Sequence, residues 1–144
     1  ISACLVGSEM CIRDRYRYAI GGYIYEFPAG LVEPNEGFHE GAVREMYEET
    51  GLKFTPLKVD PAFEKPYFTT VGMTDESCAT VYGYVEGEIS KDAQEDTEEI
   101  EVVLADREEV KRILREENVA IMCAYQLMHF LQDEDPFAFL KEEL

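Results

Sequence analysis

The chain has 144 residues, enough for one domain that buries a core without disulfides or structural metal. Hydrophobic residues make up 46% and charged residues 31%, with 8 Phe, 9 Tyr and no Trp, which excludes a disordered or fibrous chain. Against 31 Asp and Glu stand 13 Lys and Arg, and the net charge of −18 would repel a nucleic-acid backbone or an anionic membrane, so neither is expected as a partner. No apolar run approaches the roughly 18 to 20 residues that span a bilayer, and no basic start followed by an apolar core marks a secretory signal, so the cytoplasm is the expected compartment.

The first residues read as foreign. Ile1-Ser2-Ala3-Cys4 would pass as the end of a lipoprotein signal, but nothing apolar precedes it. The run from Cys4 to Asp14, Cys-Leu-Val-Gly-Ser-Glu-Met-Cys-Ile-Arg-Asp, resembles the in-frame translation of a transposase adapter used to prepare sequencing libraries. On that reading residues 1–14 are a non-native segment that dangles or fills a vacant strand position. Residues 15–144 are then the native domain, and the N-terminal part of the parent is missing. Setting the segment aside leaves Cys78 and Cys123, too few and too far apart for a disulfide framework or a CxxC zinc site; both are expected as small buried hydrophobes.

From there the pattern is that of one α/β unit. Tyr16 to Phe27, broken by Gly21-Gly22, predicts strand, turn, strand. Pro28 to Asn35 is turn chemistry, and Phe38, Ala42, Val43, Met46 and Tyr47 recur at helical spacing until Gly51, predicting a helix over about Gly37 to Thr50. Leu52 to Val59, Ala62 to Phe68 and Cys78 to Val85 read as strands, with a loop from Gly72 to Ser77 before the last. Ser90 to Glu99 is acidic and without period, and Ile100 to Leu104 is a short strand. Asp106 with Glu109 makes a capping box that opens a helix to about Glu116. Val119 to Leu131 is apolar over most of its circumference and predicts a final helix packed deeply against the sheet.

The informative segment runs from Gly30 to Leu52: Gly30, five residues, Glu36, seven residues, then Arg44-Glu45-Met46-Tyr47-Glu48-Glu49-Thr50-Gly51-Leu52. Glu45 and Glu49 lie four apart and Glu48 three from Glu45, so on a helix all three carboxylates share one side. Like charges so placed repel unless a cation sits between them, and a hard divalent cation takes carboxylate and carbonyl oxygens together with substrate phosphates. The plainer reading is a solvated Glu-rich face. Glu36 and Arg44 are placed to pair and hold loop against helix.

This segment fills every specified position of the Nudix hydrolase signature, and the chain resembles that family. The resemblance implies a Nudix α/β/α sandwich with a mixed sheet and metal-dependent hydrolysis of a nucleoside diphosphate linked to another moiety. The flanks are similar to ADP-ribose pyrophosphatases: Tyr16-Arg17-Tyr18, Glu26-Phe27-Pro28-Ala29-Gly30-Leu31 with Phe27 in place of the usual Leu, Gly72-Met73-Thr74-Asp75-Glu76, and Asp96 to Val102. The implied reaction is ADP-ribose to AMP and ribose 5-phosphate. Carried over residue by residue, the Ala29 carbonyl, Glu45, Glu48, Glu49 and Glu98 would hold Mg²⁺, with Mn²⁺ as the alternative cation. The catalytic set would comprise Glu48, Arg44 and a water-activating base at Asp96, with Glu95 as its neighbouring alternative. Arg17, Met73 and Glu76 would bind substrate, and Gly30, Glu36 and Gly51 would be structural within the motif. A homodimer is implied for the full-length parent.

Competing readings stay open. Arg17 could be an ordinary surface salt bridge, and the acidic loop a solvated linker. His39, on the polar side of the first helical turn, and His129, among core-like residues, read as structural. Tyr67 and Phe68 could stack a base but as a strand-end pair read as core. Two alternatives to ADP-ribose hydrolysis are an enzyme of the same fold acting on a nucleotide sugar or dinucleotide, and a non-catalytic nucleotide-binding module.

Overall fold

The structure, a computed structural model, describes residues 8–94 and 99–144, and the backbone of 2–4. Strand β1 (Ser2–Cys4) pairs in parallel with β7 (Thr80–Glu86), and β4 (Lys53–Pro56) pairs antiparallel with the other edge of β7. A second three-stranded sheet has β2 (Met10–Arg17) at its centre between β3 (Gly22–Glu26) and β8 (Ile100–Ala105), both antiparallel. Parallel and antiparallel pairings coexist, as the mixed sheet requires.

Alternation along the strands divides the core in two. Cys11 and Val81 face helix α1 (Phe38–Thr50) and pack with Ala42, Met46, Leu52 and Phe54. Their neighbours Met10, Ile12 and Tyr82 face the opposite way, onto α3 (Arg107–Glu116) and α4 (Ile121–Gln132), with Val110, Ile113, Cys123, Leu127 and Phe130. The result is the expected α/β/α layering. Asp106 caps α3 as predicted, its Oδ1 accepting from the Glu109 N–H at 2.9 Å. Gly51 ends α1 with φ of 77°, and a Cβ there would stand 2.8 Å from the Ser90 backbone nitrogen.

Several elements depart from expectation. The entry strand runs from Met10, so residues 10–14 take a strand position, paired with β8 throughout and with β3 as well at Arg13 and Asp14. Ala62 to Phe68 is not one strand: Asp60 accepts from the Ala62 N–H and Pro61 occupies the first helical position, so α2 (Pro61–Glu64) forms before the short β5 (Tyr67–Phe68), which pairs with β6 (Ser77–Cys78). Tyr67 and Phe68 are exposed on that hairpin rather than in the core. Cys123 is buried but Cys78 only partly so. Helix α4 buries a single stripe, while Ile121, Tyr125 and Met128 remain exposed. His129 stacks on Phe139 at 4.8 Å, and His39 pairs with Glu64 at 2.9 Å.

Candidate metal and diphosphate site

Two guanidinium groups organise the carboxylates of α1. At its outer side Arg44 donates two parallel hydrogen bonds to Glu36, at 2.8 and 3.0 Å, and a third to the Leu31 carbonyl at 3.0 Å, which ties the preceding loop to the helix. The same side chain reaches Glu45 Oε1 at 2.8 Å and Glu48 Oε2 at 3.1 Å. Glu36 also accepts from the Glu33 N–H, and with Arg44 beside it its carboxyl is held down at about 2. Glu45 lies against the turn before the helix. A Cβ on Gly30 would fall 2.0 to 2.3 Å from its carboxylate, so glycine leaves the space that this side chain fills.

At the inner side Glu49 is 2% exposed and accepts from Arg13 Nη1, on the central strand β2. The same Nη1 is 3.4 Å from the Ala29 carbonyl oxygen, and Arg13 Nη2 donates to Glu26 at 3.0 Å. Glu26 is shared: Arg17 grips it with Nε at 2.7 Å and Nη2 at 2.8 Å. Burial alone would raise the Glu26 pKa, but the hydrogen bonds and charges of Arg17 and Arg13 outweigh it and leave the carboxyl below its ordinary value. Burial, then the charge of Glu49, pushes the nearby Cys11 thiol up to about 12, which leaves it inert.

A cleft of about 280 Å³ opens beside this inner cluster. Arg13, Arg17, Glu26 and Ala29 line one wall, Thr69 and Glu76 the β5–β6 hairpin side, and the first turn of α4 the remainder. Glu76 accepts from the Thr69 hydroxyl at 3.2 Å. Two arginines and two glutamates among these residues cancel in charge, so a diphosphate entering the cleft meets no net positive field from them.

The structure thus places Glu45 against Gly30 and, with Glu48, at Arg44; it places Glu49 and the Ala29 carbonyl at Arg13, and Arg17 and Glu76 in the adjoining cleft. Met73 is 90% exposed and is not among the residues lining that cleft. Glu95, Asp96 and Glu98 lie outside the described residues. Gln94, the described residue that precedes them in the chain, donates to the Glu49 carbonyl at 2.7 Å. Sequence reading missed Arg13, set aside with the adapter-like run, and Ala120 with the first α4 residues Ile121 to Cys123, whose position depends on tertiary packing alone. Glu26 was within a quoted motif, and its partners became visible only once the strands were paired.

Among the described residues no three His, Cys, Asp or Glu side chains are arranged to hold a metal ion. The donor chemistry nevertheless fits a hard divalent cation. Glu49 and the Ala29 carbonyl meet at one guanidinium nitrogen, itself a cation, and Gly30, next to Ala29, admits Glu45 to the loop. Among the described residues no helix is long and apolar enough to cross a membrane.

Comparison with known proteins bears on this site. The NUDIX domain pattern matches residues 4–125. ADP-sugar pyrophosphatase of Mus musculus is 42% identical over 48 residues, 33% of this chain and 22% of its own length. ADP-ribose pyrophosphatase of Saccharomyces cerevisiae is 32% identical over 66 residues, 45% of this chain and 29% of its own length. The chain spans less than half the length of the curated relatives it matches. A solved NUDIX hydrolase from Nitrosomonas europaea superposes with a TM-score of 0.66 over 99% of this chain and 94% of that one, at 19% identity, a likeness of fold.

Proposed function

The chain belongs to the Nudix hydrolase family, and from that premise we propose that it hydrolyses a nucleoside diphosphate linked to another moiety, with ADP-ribose and water giving AMP and ribose 5-phosphate. The observation that carries the reading is that one guanidinium nitrogen contacts both Glu49 and the Ala29 carbonyl beside a cleft whose fixed charges cancel, with Glu45 and Glu48 gathered by Arg44 on the outer side of the same helix. Such a cleft needs an added cation to hold a diphosphate. Nudix hydrolases are generally divalent-metal dependent, and here Ala29, Glu45, Glu48 and Glu49 would hold Mg²⁺ or Mn²⁺, with Glu98 from the acidic segment. Bound there, the metal would neutralise diphosphate oxygens and acidify the attacking water.

The chain's own residues supply the rest. Arg44 orients Glu45 and Glu48, Arg17 offers a guanidinium to a phosphate or ribose oxygen, and Glu76 lies across the cleft from it. Asp96, or Glu95 beside it, would take the proton from the attacking water; the anchoring of Gln94 on Glu49 supports a base drawn from this segment. We place the protein in the cytoplasm as a homodimer in its full-length form, acting on a small molecule rather than on nucleic acid or membrane, in keeping with its net charge of −18. The similarity of Cys4 to Asp14 to an adapter translation supports residues 1–14 as non-native and 15–144 as the native domain; finding that run encoded at the source genomic locus would refute it.

The similarity to an ADP-sugar pyrophosphatase favours a second reading, hydrolysis of a nucleotide sugar, which relative kcat/KM across a substrate panel with Mg²⁺ would separate from ADP-ribose. The deciding experiment is AMP release by wild type and Glu48→Gln. Glu48 is half exposed, so its loss should leave folding intact. We expect kcat/KM to fall by about 10²- to 10³-fold, the effect of losing several kcal/mol of transition-state stabilisation. Hydrolysis at the wild-type rate would remove Glu48 from the site, and no hydrolysis by wild type of any panel member would point to a binding module.

A further inference from the structure

Arg13 is the least expected member of the inner cluster. It is 1% exposed, stands at the centre of a sheet with Glu26 and Val102 as its cross-strand neighbours, and reaches out of that sheet to α1. A guanidinium cannot shed its proton within any accessible pH range, so Glu49 already has a permanent cation. Its Nη1 contacts Glu49 and the Ala29 carbonyl, two of the oxygens that a divalent ion would need. Its Nη2 is held by Glu26, so the side chain is moored on the side away from Glu49 as well.

We propose that Arg13 is an internal counter-cation that antagonises divalent-metal binding between Glu49 and the Ala29 carbonyl, so that this chain takes Mg²⁺ or Mn²⁺ only by displacing a guanidinium. The inference rests on the metal reading given above. Two features make the antagonism strong. Glu49 is shielded from water and the Ala29 carbonyl contact is part-buried, so repulsion between a guanidinium and a divalent ion is less screened than at the surface. The carboxylate also cannot serve both cations with the same lone pairs. Arg44 is a milder competitor, because it is more exposed and has the bidentate Glu36 to retain it if Glu45 and Glu48 turn away.

Removal of Arg13 leaves Glu26 with Arg17 and takes away the cation that stands against Glu49 and the Ala29 carbonyl. Direct Mn²⁺ binding, followed by the loss of free-ion EPR signal, should therefore be tighter in Arg13→Gln than in wild type by about tenfold or more. Mg²⁺ should also raise the Tm of the variant more than that of wild type. Glu45→Gln serves as the control for the site itself. Equal Mn²⁺ affinity in wild type and Arg13→Gln, weakened in Glu45→Gln, would overturn the antagonism and leave the metal site standing. Absence of Mn²⁺ binding in all three would sink the metal reading and this inference with it. A measurement on wild type covers the case in which Arg13→Gln does not fold: Mg²⁺ titration should shift the Arg13 side-chain ¹⁵N resonances and leave those of Arg112, on α3, unmoved. A shift of the Glu45 carboxylate without any shift of Arg13 would refute the proposal.

Discussion

The two arginine clusters on α1 make the same kind of bond in opposite settings. Arg44 works on the rim, within one stretch of chain, and its partners Glu36, Glu45 and Glu48 lie within eight residues of it. Arg13 works in the interior and reaches Glu49 across 36 residues, from the middle of a sheet to the last turn of a helix. The rim cluster fixes the shape of the loop that presents Ala29 and Gly30. The inner cluster fixes which cation those groups face. Solvent can substitute for either partner at the rim, whereas a charge stranded inside has no such substitute.

The largest effect should therefore come from breaking the inner pair on one side only. Glu49→Gln leaves Arg13 buried with one carboxylate fewer and should cost about 3 kcal/mol of unfolding free energy. Adding Arg13→Gln removes the buried charge that has lost one of its two carboxylates, and the double variant should recover a large part of the loss. Urea titrations of the four proteins in the cycle measure the coupling. Simple addition of the two single losses would show that the pair contributes no coupling. That outcome would also remove the contrast with the rim.

A smaller and more selective effect is expected at the joint between the clusters. Gly30→Ala places a methyl group within 2.0 to 2.3 Å of the Glu45 carboxylate. That carboxylate is the far end of a flexible side chain and can swing aside, so stability should change by less than about 1 kcal/mol. The displaced carboxylate should raise the Mg²⁺ concentration needed for half-maximal activity. A large drop in Tm with unaltered metal dependence would mean that Gly30 serves the fold rather than the site.

The contrast also explains what could be read from the chain. The rim was legible, because Glu36, Arg44, Glu45 and Glu48 lie within one segment where helical spacing dictates who meets whom. The strand order, and with it the inner cluster, was not. Nothing local says that Arg13 will pair with Glu26 in one direction and cross to Glu49 in the other, and the adapter-like reading of residues 4–14 removed it from consideration. Polar Asp60 followed by Pro61 carried a helix start that the aromatic content of Phe63, Tyr67 and Phe68 masked. The outward face of α4 misled for a related reason: hydrophobicity around a helix tells that a face could be buried, and the partner layer covers only the Cys123, Leu127 and Phe130 stripe.

The smallest effect, and the one that best isolates the rim, concerns acid. Arg44 and the Glu33 N–H hold the Glu36 carboxyl at about 2, below its unfolded value of 4.5. A carboxylate depressed in the folded state contributes stability in full above its unfolded pKa and loses it as pH falls through the folded one. The Tm difference between wild type and Glu36→Gln should thus be constant at neutral pH and shrink between about 4.5 and 2. Molar salt at pH 7 should shrink it as well, since ions reach this part-buried rim pair more readily than a pair in the interior. The inner cycle of Glu49 and Arg13 should respond far less to salt. If salt weakened both to the same extent, water would have access to Glu49, and the interior cluster would be electrostatically a second rim.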